Sequence, residues 1–540
     1  MRSNMVHQFS QVPRATIQRS SFDRSHTWKT TFNETNLIPI FVDEALPGDT
    51  FMLRSTLFGR LATPIFPFMD NLFLDCFFFF VPYRLIWNNF VRFMGEQDNP
   101  TDTTSYLVPT VSFSALTGAA AVGGLADMMG VPIGPAIAGA NPLVVNSLPF
   151  RAYMLIWNQW FRDENLQTSV FVQKDDGPDL AANYALLPRG KRKDYFTSAL
   201  PFPQKGPAVQ LPLGSVAWVQ PSAGNSPFTS GGIGTRWREA STGALLAGQA
   251  LLGQSGGTTE TFSTPAVSGP VNTPQPANLY ADLSTATAAT INQLRQAFQI
   301  QKIYERDARG GTRYTELIKA HFGVTSPDAR LQRAEYLGGG SQRININPIA
   351  QTSATGISGG TTPAGNLAAM GTLHGSGIGF SKSFTEHGVI IGMVNLRADL
   401  TYQDGLDRMW TRSTRFDFYW PALSHIGEQG IRNDEIFWQG TAADTNVWGY
   451  QERYAEYRYK NSHVCGVFRS SAPAPLDTWH LSQHFAALPV LNTTFISDAP
   501  PISRVVAVPS QPRVLLDIYH QLRCARPMPV YSVPGLIDHF

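Results

Sequence analysis

Segments with the make-up of a β-strand are short in this chain and lie far apart: Leu37 to Val42, Phe77 to Val81, Val170 to Val172, Val389 to Leu396, Thr414 to Trp420, Arg504 to Val508 and Arg513 to Tyr519. Runs this short, rich in branched and aromatic residues, predict strands, and the long intervals between them do not suit a chain of simple hairpins. The pattern suits an antiparallel sandwich whose connections have grown into substructures. No period recurs along the 540 residues, so a solenoid or propeller is not expected. A single elaborated unit with large insertions is the expected organisation.

Charged residues make up only 15% of the chain, against roughly a quarter in ordinary soluble domains. Depletion of charge is a property of the core of a protein interface, so a chain that surrounds itself with its own copies is a natural reading, with a large extracellular β-protein as the competing one. The formal net charge is +2, which excludes a polycation that neutralises a nucleic acid by itself; any such contact must be local. Cys76, Cys465 and Cys524 are too few and too scattered for a disulfide scaffold or a structural zinc site, and they fit assembly in a reducing cytoplasm. No apolar signal region follows Met1 in the first thirty residues. Leu72 to Val81 is too short to span a bilayer and contains Asp75, and Ala115 to Val145 is broken by Pro132, Pro135 and Pro142, so no membrane insertion is expected.

Helical periodicity appears between the strands. Ile291, Leu294 and Phe298 form one stripe and Ala297, Ile300 and Tyr304 a second, ending at Gly310 and Gly311; a shorter helix is expected from Thr312 towards Gly323. Another is expected over Arg151 to Leu166. From 207 to 283 the composition shifts to Gly, Ser, Thr, Pro and Ala, the mark of a surface insertion, and Ala350 to Gly379 reads as a weaker loop of the same kind.

Motifs for turnover are missing. His480 and His484 have metal-ligand spacing in HLSQH, but Leu481 stands where a zinc peptidase carries its acid. The glycines of HGSGIGF at 374 to 380 do not match a dinucleotide fingerprint and read as a flexible loop. Asp175, Asp176 and Asp179 read as a solvated turn about Gly177 and Pro178. No enzyme activity, cofactor or metal is predicted.

Three groups of residues point to contacts instead. Residues 1–30 form a basic arm with Arg2, Arg14, Arg19, Arg24 and Lys29 against one acid, Asp23, and no periodic apolar face; it is expected to lack a fold of its own and could touch phosphates. Arg189, Lys191, Arg192 and Lys193 form a denser run, read as a contact between subunits. Tyr450, Arg453, Tyr454 and Tyr457 would share a helical face with the large, rigid contact area found at interfaces. The same aromatics would serve a jelly-roll polysaccharide-binding or glycoside-hydrolase-like protein, the alternative reading.

The words FQIQK, ERDARGGTRY and HFGVTSPDARLQRAEYLGG resemble the major capsid proteins of the microvirus family of small single-stranded DNA bacteriophages, in particular its gokushovirus branch. TFNETNLIPIFVDEALPGDTF from 31, FFFFVPYRLIWNNFVRFMGE from 77, RGKRKDYFTSALPFPQKG from 189 and WGYQERYAEYRYKNSHVCGVFRS from 448 are similar to that family in the same order, whereas no matching words occur between about 207 and 282. The resemblance implies a mainly β fold, the eight-stranded antiparallel viral jelly roll with long, partly helical loop insertions, 284–340 being the helical one. It implies a virion protein assembled in the bacterial cytoplasm as sixty copies, through pentamers, around circular single-stranded DNA. An internal scaffolding protein, a small basic DNA-binding protein and a pilot protein would assist, and the 207–283 insertion would form threefold protrusions that meet a host surface receptor.

Overall fold

The structure, a computed structural model, describes residues 17–113, 118–133, 142–209, 291–311, 314–324, 332–352 and 365–531, together with short strands elsewhere. The strands, in chain order, begin with β1 (Ser20–Asp23), β2 (His26–Phe32), β3 (Ile38–Ala45), β4 (Thr50–Leu61), β5 (Leu72–Pro82), β6 (Thr110–Phe113) and β7 (Leu143–Asn146). Short ones follow: β8 (Trp218–Pro221), β9 (Trp237–Glu239), β10 (Pro274–Pro276) and β11 (Leu279–Asp282). The rest are β12 (Glu335–Ala350), β13 (Thr355–Ile357), β14 (Gly360–Thr362), β15 (Leu367–Ser383), β16 (Gly388–Ala398), β17 (Glu428–Arg432), β18 (Val447–Glu452) and β19 (Val514–Arg526). Two compact units divide the chain, one of residues 1–203 with 308–540 and one of 204–307. The second holds the β8–β11 and β9–β10 pairs and most of the helix Ile291–Gly310.

The first unit holds the main antiparallel sheet. β1 and β2 lie end to end along β19, whose other edge carries β4 and then β15; β3, β16, β5 and β12 form a second run. The far half of β12 turns from β5 to pair with β15 and joins the two runs. With β1 and β2 taken as one interrupted strand, the first, eighth, third and sixth strands lie side by side, as do the second, seventh, fourth and fifth. That is the strand order of a jelly roll, whose long crossings between sheets carry the insertions.

The two runs differ because their faces meet different surroundings. β16 (GVIIGMVNLRA) is buried at every residue and β5 (LFLDCFFFFVP) at nearly every one, since one face packs inside the sandwich and the other against the helix Leu148–Ile156 and its neighbours. β4 (TFMLRSTLFGRL) and β19 (VLLDIYHQLRCAR) alternate strictly between buried and solvent-facing residues, so this sheet is open on its outer side. Phe41, Phe51, Leu53, Phe78, Ile390, Leu516 and Ile518 fill the space between the sheets.

Six sequence expectations are corrected here. Thr414–Trp420 forms 3₁₀ turns, Val170–Val172 joins no ladder, and Arg504–Val508 makes a single bridge between Pro64 and Val506. Residues 367–379, inside the expected loop at 350–379, belong to the central strand β15. Gly379 is there for close packing, since a Cβ on it would stand 2.0 Å from the Leu53 carbonyl oxygen. The basic arm is strand from Ser20 onward, because β19 offers β1 and β2 an edge for their backbone hydrogen bonds. The helix expected from Arg151 starts at Leu148 and gives way at Trp157 to a wider turn, while the 291–310 and 314–322 helices match the expected stripes.

His520 is wholly buried between the sheets. Its Nε2 lies 3.0 Å from the Ile40 carbonyl oxygen, which can only accept, so Nε2 carries the proton and Nδ1 accepts from the Ser55 hydroxyl at 2.8 Å. Burial pushes the imidazole down to about 4 against the opposing hydrogen bond to Ile40, with His26 5.1 Å away ring to ring. A folded-state value below the unfolded 6.5 gives stability that is complete above pH 6.5 and is lost as pH falls through 4. The loss from pH 7 to 4 is about 3 kcal/mol at 1.36 kcal/mol per unit. Asp498, pushed up to about 6, acts in the opposite direction over part of that range, so comparison with His520→Gln isolates the effect. Urea unfolding of the subunit at both pH values should show the variant losing about 3 kcal/mol less than the parent; equal losses would refute the assignment.

Candidate functional site: an aromatic assembly surface

Between β16 and β19 the chain makes a long excursion whose Tyr402, Ile431, Ile436 and Phe495 form a small core together with Tyr195 and Phe196 from an earlier part of the chain. Residues 408–426 ride on this base as a series of 3₁₀ turns. Thr414 and Asp417 close a reciprocal capping box, and hydrogen bonds from the Thr414 and Ser413 backbone hold the Asp417 carboxyl down to about 2. Arg408 anchors the first turn through the Gly430 carbonyl at 2.8 Å and Glu435 at 3.1 Å.

The rigid turns carry apolar side chains that are left in solvent. Trp410 is 69% exposed, Phe416 60%, Phe418 54% and Tyr419 51%, with Met409, Ile426 and Tyr457 also about half open. Arg412 lies 4.2 Å above the Tyr457 ring, Arg415 lies 4.5 Å above Trp420, and Tyr419 meets Tyr454 edge to face at 5.2 Å. These contacts settle the positions of Tyr457, Trp420 and Tyr419 beforehand, so burying those rings costs little conformational entropy. At roughly 150–250 Å² per aromatic side chain, the six rings offer about 500–800 Å², close to the ~800 Å² one partner contributes to a standard interface. Contiguous apolar exposure on this scale marks an interaction site.

Of the residues expected at an interface, Tyr457 lies on this surface and Tyr454 is buried beneath it, its hydroxyl donating to the Phe416 carbonyl at 3.3 Å. The four do not share a helical face. Tyr450 sits in β18, and Tyr454 has a left-handed backbone (φ 62°) that turns the chain. Arg453 stacks on the Tyr454 ring at 5.0 Å. Residues 409–420 were missed as a surface because Phe416, Phe418 and Trp420 alternate as in a strand; Thr414 three residues before Asp417 was the available turn signal.

The basic run is mostly used within the chain. Arg189 pairs with Asp75 at 2.6 Å over the Phe77 ring, and Arg397 reaches the same carboxylate at 2.9 Å. Burial acts to raise Asp75, but hydrogen bonds from Ser341 and Arg189 outweigh it and hold the carboxyl below its ordinary range. Lys191 is buried over the Phe495 ring, donates to Gln483 at 2.9 Å and is pushed down to about 8 by burial. Lys193 pairs with Asp163, while Arg192 points into solvent.

In the arm, Arg24 pairs with Asp43 at 2.6 Å and Lys29 with Asp517 at 2.7 Å, and Arg19 donates to the Thr50 hydroxyl at 2.5 Å. Arg2 and Arg14 lie outside the described residues. His480 and His484 turn to different partners, the Phe468 carbonyl oxygen and Asp404, on a non-helical segment. Asp179 is not in a solvated turn: it is fully buried against Arg151, while Asp176 accepts from Trp87 at 2.6 Å.

A jelly roll with grown loops that holds out a pre-ordered aromatic surface has the construction of a shell-forming subunit, one that completes its burial against further copies. Residues 10–536 match the family model described as capsid protein (F protein). The chain is 46% identical to capsid protein VP1 of Bdellovibrio phage phiMH2K and 43% identical to capsid protein VP1 of Chlamydia phage 1, with 99% of this chain and 98% of each relative covered. Capsid protein VP1 of Spiroplasma virus 4 is 37% identical over 98% of both. The chain belongs to this capsid protein family, in its gokushovirus branch. It is a structural component of the virion and not an enzyme.

Proposed function

We propose that sixty copies of the chain assemble, through pentamers, into a T=1 icosahedral shell around a circular single-stranded DNA genome. The observation that carries this reading is the aromatic surface at 409–426, held rigid and open, of the size one partner brings to a stable interface. Apolar burial supplies the driving force, and the surrounding arginines, with Arg192, Lys193 and Tyr457, set register through local charge and stacking. An internal scaffolding protein, a small basic DNA-binding protein and a pilot protein serve as assembly partners. Negative-stain electron microscopy of the purified chain, with the ratio of absorbance at 260 and 280 nm, is the test. Uniform closed particles with a raised ratio are expected; a monomer or dimer that persists with those partners supplied would overturn the reading.

The insertion at 207–283, which apart from its short strands and residues 207–209 lies outside the described residues, is assigned to protrusions at the threefold axes that meet the host receptor. Its low charge and small residues suit a segment under no packing constraint. Deleting residues 215–278 is expected to leave shells that form but adsorb poorly to host cells. Normal adsorption, or failure to assemble, would remove the insertion from that role.

A further inference from the structure

The open face of the β2–β19–β4–β15 sheet has no role in the aromatic assembly surface, and its side chains have a chemistry of their own. Strict alternation on β4 and β19 turns Met52, Arg54, Phe58 and Arg60 outward from one strand and Leu515, Tyr519 and Arg523 from the next. Phe58 is 51% exposed and Tyr519 47%. Phe58 stands opposite Asp517, which makes Phe58 and Tyr519 diagonal neighbours on one face, about 7 Å apart. Arg54 and Arg60, six residues apart on a strand, flank the rings over about 20 Å. Neither makes an ion pair among the described residues. His374 stands opposite Phe58 on the other side.

The charge on this face is one-sided. Arg19, Lys29, Arg54, Arg60 and Arg523 are set against two carboxylates, Asp517, paired with Lys29, and Asp23, opposite Arg523. A groove of about 920 Å³ runs along one end of the sheet, lined by Lys29, Phe58, Arg60 and Leu515 and also by the acids Asp127 and Asp517. The basic arm enters the same sheet through β1, which brings Arg19 to the face's edge beside Thr50.

We propose that this sheet face is a platform for single-stranded DNA, with Phe58 and Tyr519 stacking on unpaired bases and Arg54, Arg60 and Arg523 tracking the phosphates. Cations interleaved with exposed rings on a sheet suit unpaired bases, which present a π-face to each ring and a phosphate to each cation. A second copy of the chain would have to be acidic where it met the face. The proposal rests on the shell reading and deepens it by naming the surface turned to the genome.

The test uses the purified full-length chain and fluorescein-labelled thirty-nucleotide oligo(dT), with binding followed by anisotropy across salt concentrations. Three chains are compared: the parent, Arg54→Ser/Arg60→Ser/Arg523→Ser, and Phe58→Ser/Tyr519→Ser. The arginine variant should lower the slope of log affinity against log salt by about 2, at about 0.7 per phosphate contact on single strands. The aromatic variant should lose at least about tenfold in affinity with its slope unchanged, as expected for lost stacking. Circular dichroism and thermal melting establish that each variant is folded. Unchanged affinity and slope in both folded variants would overturn the proposal, as would binding lost only on deleting residues 1–16. Variants that bind oligo(dT) normally but form no particles by microscopy would assign the face to another copy of the chain. The binding readout does not need particles, so failure of the shell reading and failure of the platform are separable.

Discussion

Closed particles are expected to disappear when Trp410, Phe416 and Phe418 are all replaced by serine, while the subunit stays folded. These side chains are more than half in solvent, and the turns beneath them are held by the Thr414–Asp417 capping box and the Arg408 anchors rather than by the rings. Substitutions at such positions change monomer stability by about 0.5 kcal/mol or less each. In an interface the same rings are the kind that cost 2 kcal/mol or more apiece on truncation, by the usual behaviour of buried aromatic anchors. Three per subunit, repeated around a shell, exceed what a marginal contact between subunits can lose. Sedimentation velocity and electron microscopy on parent and variant are decisive: a variant that melts like the parent yet sediments only as small species fits, and a variant that forms normal shells would dismiss the surface.

Replacing Arg151 by methionine is expected to destabilise the subunit by about 3–5 kcal/mol, the cost of breaking a buried ion pair from one side. The guanidinium is fully buried and meets Asp179 through two bonds, at 2.5 and 2.7 Å, and the Ile86 and Asp175 carbonyls at 3.1 and 2.8 Å. Burial alone would raise Asp179, but hydrogen bonds from Arg151 and Tyr184 outweigh it and hold the carboxyl below its ordinary range. Methionine fills the volume but leaves the buried Asp179 carboxylate without its cation and two carbonyls without their donor. Arg151→Lys restores charge but not the planar fork, and is expected to recover less than half the loss. Arg24→Ser, at a partly exposed pair with Asp43, is the control, at about 1 kcal/mol or less. Urea midpoints for the three variants test the ranking; an Arg151→Met cost below about 1 kcal/mol would show that the pair is not held as described.

The sandwich was legible because its strands carry their surroundings in their own patterns. β5 and β16 are apolar over most of their length, as strands covered on both faces are, interrupted by Asp75, Asn395 and Arg397, and β19 begins as an alternating run. The 291–310 helix announced itself by stripes and by the glycines that end it. β4 alternates as cleanly and was passed over, since its Arg, Ser and Gly residues disguise a strand with one wet face.

Local pattern alone determined which segments favour strand or helix, the charge-poor composition that suits life among copies, and the words that mark the family. The tertiary structure decided where each residue's partner comes from. Glycine-rich 367–379 became a central strand because Leu53 and its neighbours on β4 accept a backbone without side chains at close range. Arg189 and Lys191 look like surface cations until Asp75 and Gln483, 114 and 292 residues away, arrive to bury them. The rings of 416–420 have the spacing of a strand but no neighbouring strand to complete it, so their turn was closed by Thr414 and Asp417 and their faces were left to solvent. Backbone preference acts over a few residues, whereas burial and pairing depend on which distant segments the closed sandwich brings together. That is why the fold could be read in order along the chain and its surfaces could not.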